Sequence, residues 1–418
     1  MQLAKTKFKA KFPAVLIVAA CVLFSAAVAH ADAVTDWNAI MQAVVAPSNA
    51  FVQARANAIV QLAVFEAVNA ITGKYQPYLG TISAPSGASA DAAAIAAAHR
   101  TLVILYPGST VSLDAAEAVS LSAIPDGQAK TDGVAVGEAA ANAILALRSN
   151  DGSASIVPYT PGIGPGVWQP TPPAFAPALL PGWGQVTTFG IPDGAQFRSA
   201  PPPALGSADY ARNYNEVKLV GDVNSAVRPQ DRTDVAHFYI IPAVQVYNPA
   251  ARQVSAAQGK TLSQNAHDFA LFGMAMCDGL ISSMETKYFY NRWRPVTAIR
   301  AGDTDSNPKT EPNTAWLPLI TTPPFPSYPS AHASAGGAAR RILERIYGKD
   351  GFQVTLTSPT APGVTLHYTA WNQITDDIDD ARVFGGIHFR YDQEAGARQG
   401  WQVGSFILET QLLPLSQE

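Results

Sequence analysis

Pro324-Phe325-Pro326-Ser327-Tyr328-Pro329-Ser330-Ala331-His332 leads, through Ala333-Ser334-Ala335-Gly336-Gly337, into Ala338-Ala339-Arg340-Arg341-Ile342-Leu343-Glu344-Arg345-Ile346. Proline cannot continue a helix upstream, and the Ala-, Leu- and Arg-rich run after Pro329 favours one. The stretch therefore reads as a rigid loop delivering the chain to a helix start near Ser330. A helix N-terminus offers unpaired N–H groups and a positive dipole end, which suits an anion. Ser330 adds a hydroxyl there, and His332 adds a group that titrates near neutral pH. The plainer reading is a Ser N-cap with an incidental His.

The helical pattern extends on both sides. Ala56, Ile59, Leu62, Ala63, Ala67 and Ala70 recur at spacings of three and four, which predicts one buried helical face. Ala-rich stretches at 87–105, 113–123 and 133–148 read the same way, with breaks at Pro107-Gly108 and Pro125-Asp126-Gly127. Helices are also expected over Ala208–Leu219 and Asn265–Met284. Residues 151–205 differ: 12 prolines are interleaved with Trp168, Phe175, Trp183, Phe189 and Phe197. So many aromatics predict a strap packed on the helical body. Val354-Thr355-Leu356 and Val364-Thr365-Leu366 are candidates for a short β-hairpin. The expected fold is all-α, a helical bundle with a long Pro/Gly-rich strap.

Two further clusters carry chemistry. Lys287 and Arg294 are seven apart, near two helical turns, and Pro295 follows. On one continuous helix they would share a face that Pro295 terminates; alone they could be a solvated charged face. Arg382, His388 and Asp392 flank Gly385-Gly386, a pair that permits a tight turn. Asp392 stands four residues beyond His388, so its carboxylate could fix the imidazole tautomer. Alone, this could be a structural Arg/Asp network around a core His. Together the clusters supply two guanidiniums, one ammonium, a hydroxyl and two imidazoles. That set suits a tetrahedral oxyanion and would repel a divalent cation.

The bulk properties agree with an enzyme that builds its anion site locally. The 418 residues carry a net charge of -4, with 48% hydrophobic and 14% charged residues. No basic field points to nucleic acid or anionic membrane. Lys5, Lys7, Lys9 and Lys11, an apolar run from Pro13 to Ala29, and Ala29-His30-Ala31 read as a secretory signal. Residues 1–31 are assigned to it, which makes the mature protein periplasmic or extracellular and free of a membrane span. Val18-Ala19-Ala20-Cys21 offers a lipoprotein box as the alternative. Cys277 then remains the one cysteine and is expected to be a buried thiol. Residues 32–418 read as a single helical domain: N-terminal helices at 32–150, the strap at 151–205, and site-bearing helices at 206–418.

In order and spacing the three clusters resemble the signature of the vanadium-dependent haloperoxidases, shared with type 2 phosphatidic acid phosphatases and bacterial acid phosphatases. The phrases 290–299, 323–332 and 385–390, with Pro165-Gly166-Val167-Trp168, are similar to the bacterial haloperoxidase branch. The resemblance implies a helical fold and vanadate as cofactor, with hydrogen peroxide and halide as substrates and a small organic acceptor as an option. It implies that His388 bonds vanadium, making it the metal-contacting residue. Lys287, Arg294 and Arg382 would neutralise the vanadate oxygens. Ser330 and the N–H of Ala331 would donate to them. His332, Lys287 and His388 would be the catalytic set, with His332 handling peroxide protons. Asp392 and Phe325 would stand behind the contacting groups. Ala331 and Ala381 depart from the family's Gly and Ser; a methyl at 331 could crowd the pocket or forbid a positive φ. Phe325 is shared with chloride-active members, whereas Met284 replaces an aromatic they tend to carry, so bromide is the expected halide and chloride stays open. The same pocket could serve a phosphatase, with His388 as nucleophile, or a non-catalytic oxyanion-binding protein.

Overall fold

The computed structural model describes residues 32–415. The expected signal segment and its cleavage site lie outside the described residues. Five helices come first: α1 (Ala33–Val45), α2 (Ala50–Thr72), α3 (Ala90–Leu105), α4 (Thr110–Ser122) and α5 (Gln128–Arg148). After the strap follow α6 (Ala208–Val220), α7 (Gln230–Phe238), α8 (Ala243–Ala257), α9 (Leu262–Tyr290), α10 (Pro295–Arg300) and α11 (Ala331–Tyr347). Strands β1 (Asp350–Thr357) and β2 (Thr365–Ala370) then precede α12 (Trp371–Phe384) and α13 (Arg390–Thr410). The protein is mostly helical, as the patterning predicts. The hairpin forms, antiparallel, with Leu356 opposite Leu366 and Val354 opposite Tyr368.

Helix α9 is the central element. Thr261 caps it: its hydroxyl accepts from the Gln264 N–H while the Gln264 side chain accepts from the Thr261 N–H at 3.0 Å. From Phe269 to Met284 α9 is buried on every side, the mark of a helix enclosed by others rather than lying on a surface. It packs between α2, α11 and α13. Helix α2 is likewise buried beyond the predicted stripe, since Ala58, Val60 and Gln61 are also covered. Cys277 lies within this core with no exposure, and burial pushes its thiol far above the usual range, as expected of an inert thiol.

Helix α9 ends earlier than the Lys287/Arg294 spacing suggests. Asn291 takes a left-handed conformation (φ 52°) just after Tyr290 and stops the helix. Pro295 occupies the first position of α10 instead of ending α9. Proline is favoured there because its missing N–H would have no helical partner. The two basic residues therefore converge across a helix break, not along one face.

Helices α11 and α13 meet through glycine. A Cβ on Gly400 would lie 2.0 Å from the Ser334 carbonyl oxygen, and one on Gly396 would lie 2.5 Å from that of Ser330. Only the absence of side chains lets these backbones touch, and the contact sets the start of α13 against the start of α11.

The strap packs down as expected. Trp168, Trp183 and Phe189 are buried. The Asp278 carboxylate on α9 accepts from the N–H groups of Phe189, Gly190 and Ile191 at 2.7, 2.7 and 3.0 Å. Arg148 stacks over the Phe189 ring at 3.8 Å and donates to the Thr188 carbonyl at 3.0 Å. Phe175 differs: it has a positive φ of 46° and stands 63% exposed. Among the described residues no helix is long and apolar enough to cross a membrane.

Candidate functional site

Helix ends assemble the site. Lys287 lies in the last turn of α9 and Arg382 in the last turn of α12. Cations at a helix C-terminus are favoured by the dipole. Arg294 precedes α10, Ser330 caps α11, and His388 sits in the turn before α13, whose first turn carries Asp392. Gly386, at φ 79°, makes the reversal from α12 to α13. A Cβ there would be 2.4 Å from the Gly221 carbonyl oxygen. This turn brings Arg382 and His388 to the same place.

All six residues are buried: Lys287, Arg294, Ser330 and Asp392 at 0%, His388 at 3% and Arg382 at 4% exposure. Asp392 Oδ2 lies 2.8 Å from His388 Nδ1 and accepts from the Ser327 hydroxyl at 2.6 Å and the Phe389 N–H at 3.1 Å. With Nδ1 holding the proton for the carboxylate, Nε2 presents its lone pair. Arg294 Nη1 lies 3.0 Å from Nε2 and points a donor at that lone pair. Burial, then the charges of Arg294 and Lys287, push the His388 imidazole well below its usual range, and burial pushes Asp392 up. His388 is accordingly a neutral imidazole with one directed lone pair.

The guanidinium of Arg294 donates to the carbonyls of Phe325 at 2.8 Å and Ile387 at 2.9 Å, and Arg382 donates to that of Tyr239 at 2.8 Å. Arg294 Nη2 and Arg382 Nε remain buried without a partner. Among the described residues no carboxylate pairs with Lys287, Arg294 or Arg382. Buried cations without counter-charge are costly, so the site is built for an anion from outside the chain. This donor set fits vanadate or phosphate.

Lys287 behaves differently from the expectation of a free ammonium. Its Nζ donates to the carbonyls of Pro326 at 2.9 Å, Ser327 at 2.7 Å and Pro329. Burial and Arg294 push its pKa down, yet three acceptors around Nζ hold three protons on it. In this arrangement Lys287 ties the 326–329 loop to α9, and contact with an oxyanion requires exchange of one carbonyl. Phe325 lies under both cations, 5.1 Å from Lys287 Nζ and 4.9 Å from the Arg294 guanidinium carbon, where its ring face is attractive to charge.

Ser330 caps α11 through a long 3.4 Å bond from the Ala333 N–H, so capping and anion contact are compatible. Ala331 opens the helix in helical conformation, and its methyl lines the cavity beside the site. A glycine-only φ is therefore not required there. His332 lines the same cavity and has Nε2 3.3 Å from the Ile241 carbonyl. Burial, then Arg382, push it down from its ordinary 6.5 to about 3.

This shift has a measurable consequence. Below 6.5 an unfolded His332 binds a proton that the folded one refuses until about 3, so stability falls as pH falls through that window. The slope is up to about 1.4 kcal/mol per pH unit. His332→Gln should therefore lose less stability than the wild type between about pH 7 and pH 5, by up to about 2 kcal/mol. Urea unfolding of both proteins at the two pH values checks this, and identical pH dependence would refute it.

The sequence reading missed Ser327, whose hydroxyl orients Asp392, and Tyr239, whose carbonyl holds Arg382. Ser327 was visible in the Pro-rich phrase, three residues before Ser330. No local signal marks Tyr239, because it acts through its backbone.

Residues 267–413 match the family description "VCPO second helical-bundle domain". The vanadium chloroperoxidase of Curvularia inaequalis is 23% identical over 285 residues, covering 51% of this chain and 46% of its own. The chain thus spans about half the length of that curated relative. The crystal structure of a bacterial vanadium-dependent iodoperoxidase superposes with a TM-score of 0.78 at 25% identity, covering 92% of this chain and 97% of the other. A bacterial vanadium-dependent chloroperoxidase superposes with a TM-score of 0.73 at 18% identity, covering 86% and 91%, and shares the fold. Fold and pocket define a helical protein with a buried cluster of basic groups at converging helix ends. Residues 267–413 match that helical-bundle family, and the chain is similar in fold to bacterial vanadium-dependent haloperoxidases.

Proposed function

We propose that this chain holds vanadate in the cluster around His388 and uses hydrogen peroxide to oxidise halide to hypohalous acid. The observation that carries the reading is the lone pair of His388 Nε2, fixed by Asp392 on the far nitrogen and set among guanidinium donors that lack carboxylate partners. Vanadate, when bound, supplies a Lewis acid that activates peroxide without itself changing oxidation state. His388 offers the coordinating nitrogen, and Asp392 with Ser327 holds its tautomer. Arg294 and Arg382 balance the oxyanion charge, Lys287 adds to it from behind the loop, and Ser330 with the Ala331 N–H donates hydrogen bonds. His332, a neutral base at the cavity wall, takes and returns peroxide protons. Bromide is the halide expected from Phe325 and Met284. Iodide is the more easily oxidised ion and should also react, while chloride should react least. The N-terminal segment directs export, and residues 32–418 act as one helical unit.

Protein stripped of vanadium should be nearly inactive and should gain bromide oxidation when orthovanadate is added. Phosphate should compete, because the same donors fit both anions. Bromide oxidation and phosphate-ester hydrolysis are measured in parallel on the same preparation. Full activity after rigorous vanadium removal, or ester hydrolysis without halide oxidation, overturns the reading.

A further inference from the structure

The far end of α9 carries a second cavity, of about 300 Å³. Asp268 lines it, and Lys287 lies 19 residues further along the same helix, so the two sites are separated by about 28 Å along the axis. The first turns of α9 form one wall, the last turn of α11 another, and the chain around the end of α13 a third. That third wall is fixed in place: the Gln76 N–H donates to the Leu413 carbonyl at 2.8 Å, and the Leu415 N–H donates to that of Lys74 at 2.9 Å. Tyr75, in the same pairing, lies flat on His267 with ring centroids 4.0 Å apart. The imidazole is committed to the scaffold, since Nδ1 meets Asp268 Oδ1 at 2.9 Å and Nε2 meets the Leu412 carbonyl at 3.1 Å.

Three charged groups in the lining are not committed. Asp268 is 4% exposed, and its Oδ2 is buried with no hydrogen-bond partner. Lys260 Nζ stands 3.9 Å from that oxygen, too far for a hydrogen bond, and reaches the Ile346 carbonyl only at 3.4 Å. Burial, then the Asp268 charge, push the Tyr347 phenol well up, yet its hydroxyl too is buried without a partner, so this neighbour does not satisfy Oδ2. Arg345 is exposed at the rim and forms no ion pair among the described residues. Leu271, Leu408 and Leu412 make the rest of the chamber apolar. A buried carboxylate oxygen without a donor is costly, and the fold holds the nearest cation back from it. Water would bring no charge to Asp268 and would hydrate the leucines poorly. A simple anion would leave Oδ2 unpaired, and a metal cation would be repelled by Lys260 and Arg345.

We infer that this cavity is a binding site for a small zwitterion, an α-amino acid with an apolar side chain, whose ammonium sits on Asp268 and whose carboxylate sits between Lys260 and Arg345. An ammonium brings positive charge and three donors to the unpaired oxygen. A carboxylate accepts from the Lys260 ammonium and offers paired oxygens to the Arg345 fork. The side chain then lies against Leu271, Leu408 and Leu412 and removes their surface from water. Opposite charges held apart across a chamber with apolar walls match those three parts together. The volume stands at the lower bound for small-molecule sites, which suits a single amino acid. No residue of the oxyanion cluster takes part, so the inference is independent of the haloperoxidase reading.

The test is isothermal titration of the full chain with three probes: leucine, leucinol, which lacks the carboxylate, and 4-methylpentanoate, which lacks the ammonium. Wild type should bind leucine, and each truncated probe at least about tenfold more weakly, the scale of one lost hydrogen bond to a charged group. Asp268→Asn keeps the size of the side chain and removes its charge. It should weaken leucine by about 30-fold or more, as for one member of a buried charge pair, while 4-methylpentanoate binds no more weakly than before. Lys260→Met keeps the stem and removes the ammonium. It should weaken leucine by about tenfold or more, while leucinol, relieved of a competing cation, binds no more weakly. A general loss of structure would weaken every probe in both variants, so the matched pairs separate recognition from folding. Arg382→Met, altered in the distant oxyanion cluster, should bind leucine as the wild type does. No binding of leucine by wild type, leucinol or 4-methylpentanoate binding as tightly as leucine, or unchanged leucine affinity in Asp268→Asn overturns the inference. Loss of leucine binding in Arg382→Met would place the ligand in the oxyanion cluster and overturn it equally. If Asp268→Asn does not fold, Lys260→Met and the three-probe comparison on wild type decide.

Discussion

His388→Ala should lose tight vanadate binding, whereas His332→Ala should keep it and lose turnover. The two imidazoles differ in what surrounds them. His388 has Nδ1 bound by Asp392 at 2.8 Å and Nε2 facing the guanidinium of Arg294. Its removal deletes the nitrogen proposed to coordinate vanadium and leaves Asp392 with Ser327 and the Phe389 N–H but no imidazole. Among the described residues His332 has one hydrogen-bond partner, the Ile241 carbonyl at 3.3 Å, and it lines the cavity. Its removal leaves His388, both guanidiniums and Ser330 in place. Loss of one general acid–base group costs about 100- to 10,000-fold in rate, and the deficit should be concentrated in the dependence on peroxide. Equilibrium vanadate titration and steady-state peroxide kinetics on both variants give the comparison. If His332→Ala releases vanadate as completely as His388→Ala, or if His388→Ala keeps wild-type affinity, the roles are wrongly assigned.

Arg382→Met should weaken vanadate or phosphate binding by about 30- to 5,000-fold, the range expected for truncating one member of a buried charge pair. The same change should not lower the thermal stability of the anion-free protein, and should raise it. Arg382 is buried at 4% exposure, makes one hydrogen bond to Tyr239, and leaves Nε unpaired. Without an anion its charge is desolvated and adds to those of Arg294 and Lys287; the desolvation alone pushes its pKa down to about 10. Methionine fills similar volume without charge. The cost is one unsatisfied carbonyl at Tyr239, about 1–3 kcal/mol, which the relieved repulsion offsets. Isothermal titration with orthovanadate and thermal melts with and without anion separate the two effects. A fall in anion-free melting temperature together with unchanged anion affinity would show Arg382 to be a structural residue.

A large part of the fold was written locally. The Ala- and Leu-rich periodicities at 56–70, 87–105 and 133–148 became α2, α3 and α5 because a helix needs only neighbours three and four residues away. The two β-prone stretches formed a hairpin, with Leu356 opposite Leu366, for a related reason: only residues 358–364 join the strands. Ser330 before an Ala-rich run marked the start of α11, and the Gly385-Gly386 pair marked the turn that joins Arg382 to His388. The chemical inventory of the pocket was legible too, since charge and hydrogen-bonding capacity belong to residue types.

Tertiary structure decided what those groups could do. The break at Asn291 separated Lys287 from Arg294, because a left-handed residue depends on what surrounds the helix end. Lys287 found three backbone carbonyls in a loop 39 to 42 residues away, and no local rule anticipates such a partner. Helix α9 is buried all round only because α2, α11 and α13 enclose it. The glycines at 396 and 400 gained meaning when α11 came within contact of their backbone. The sequence by itself determined the helices and the set of anion-binding groups, through interactions a few residues long. Burial determined the rest: it left guanidinium donors unpaired, kept both imidazoles neutral, and placed an apolar chamber beside them, because desolvation exists only where distant segments close over a site.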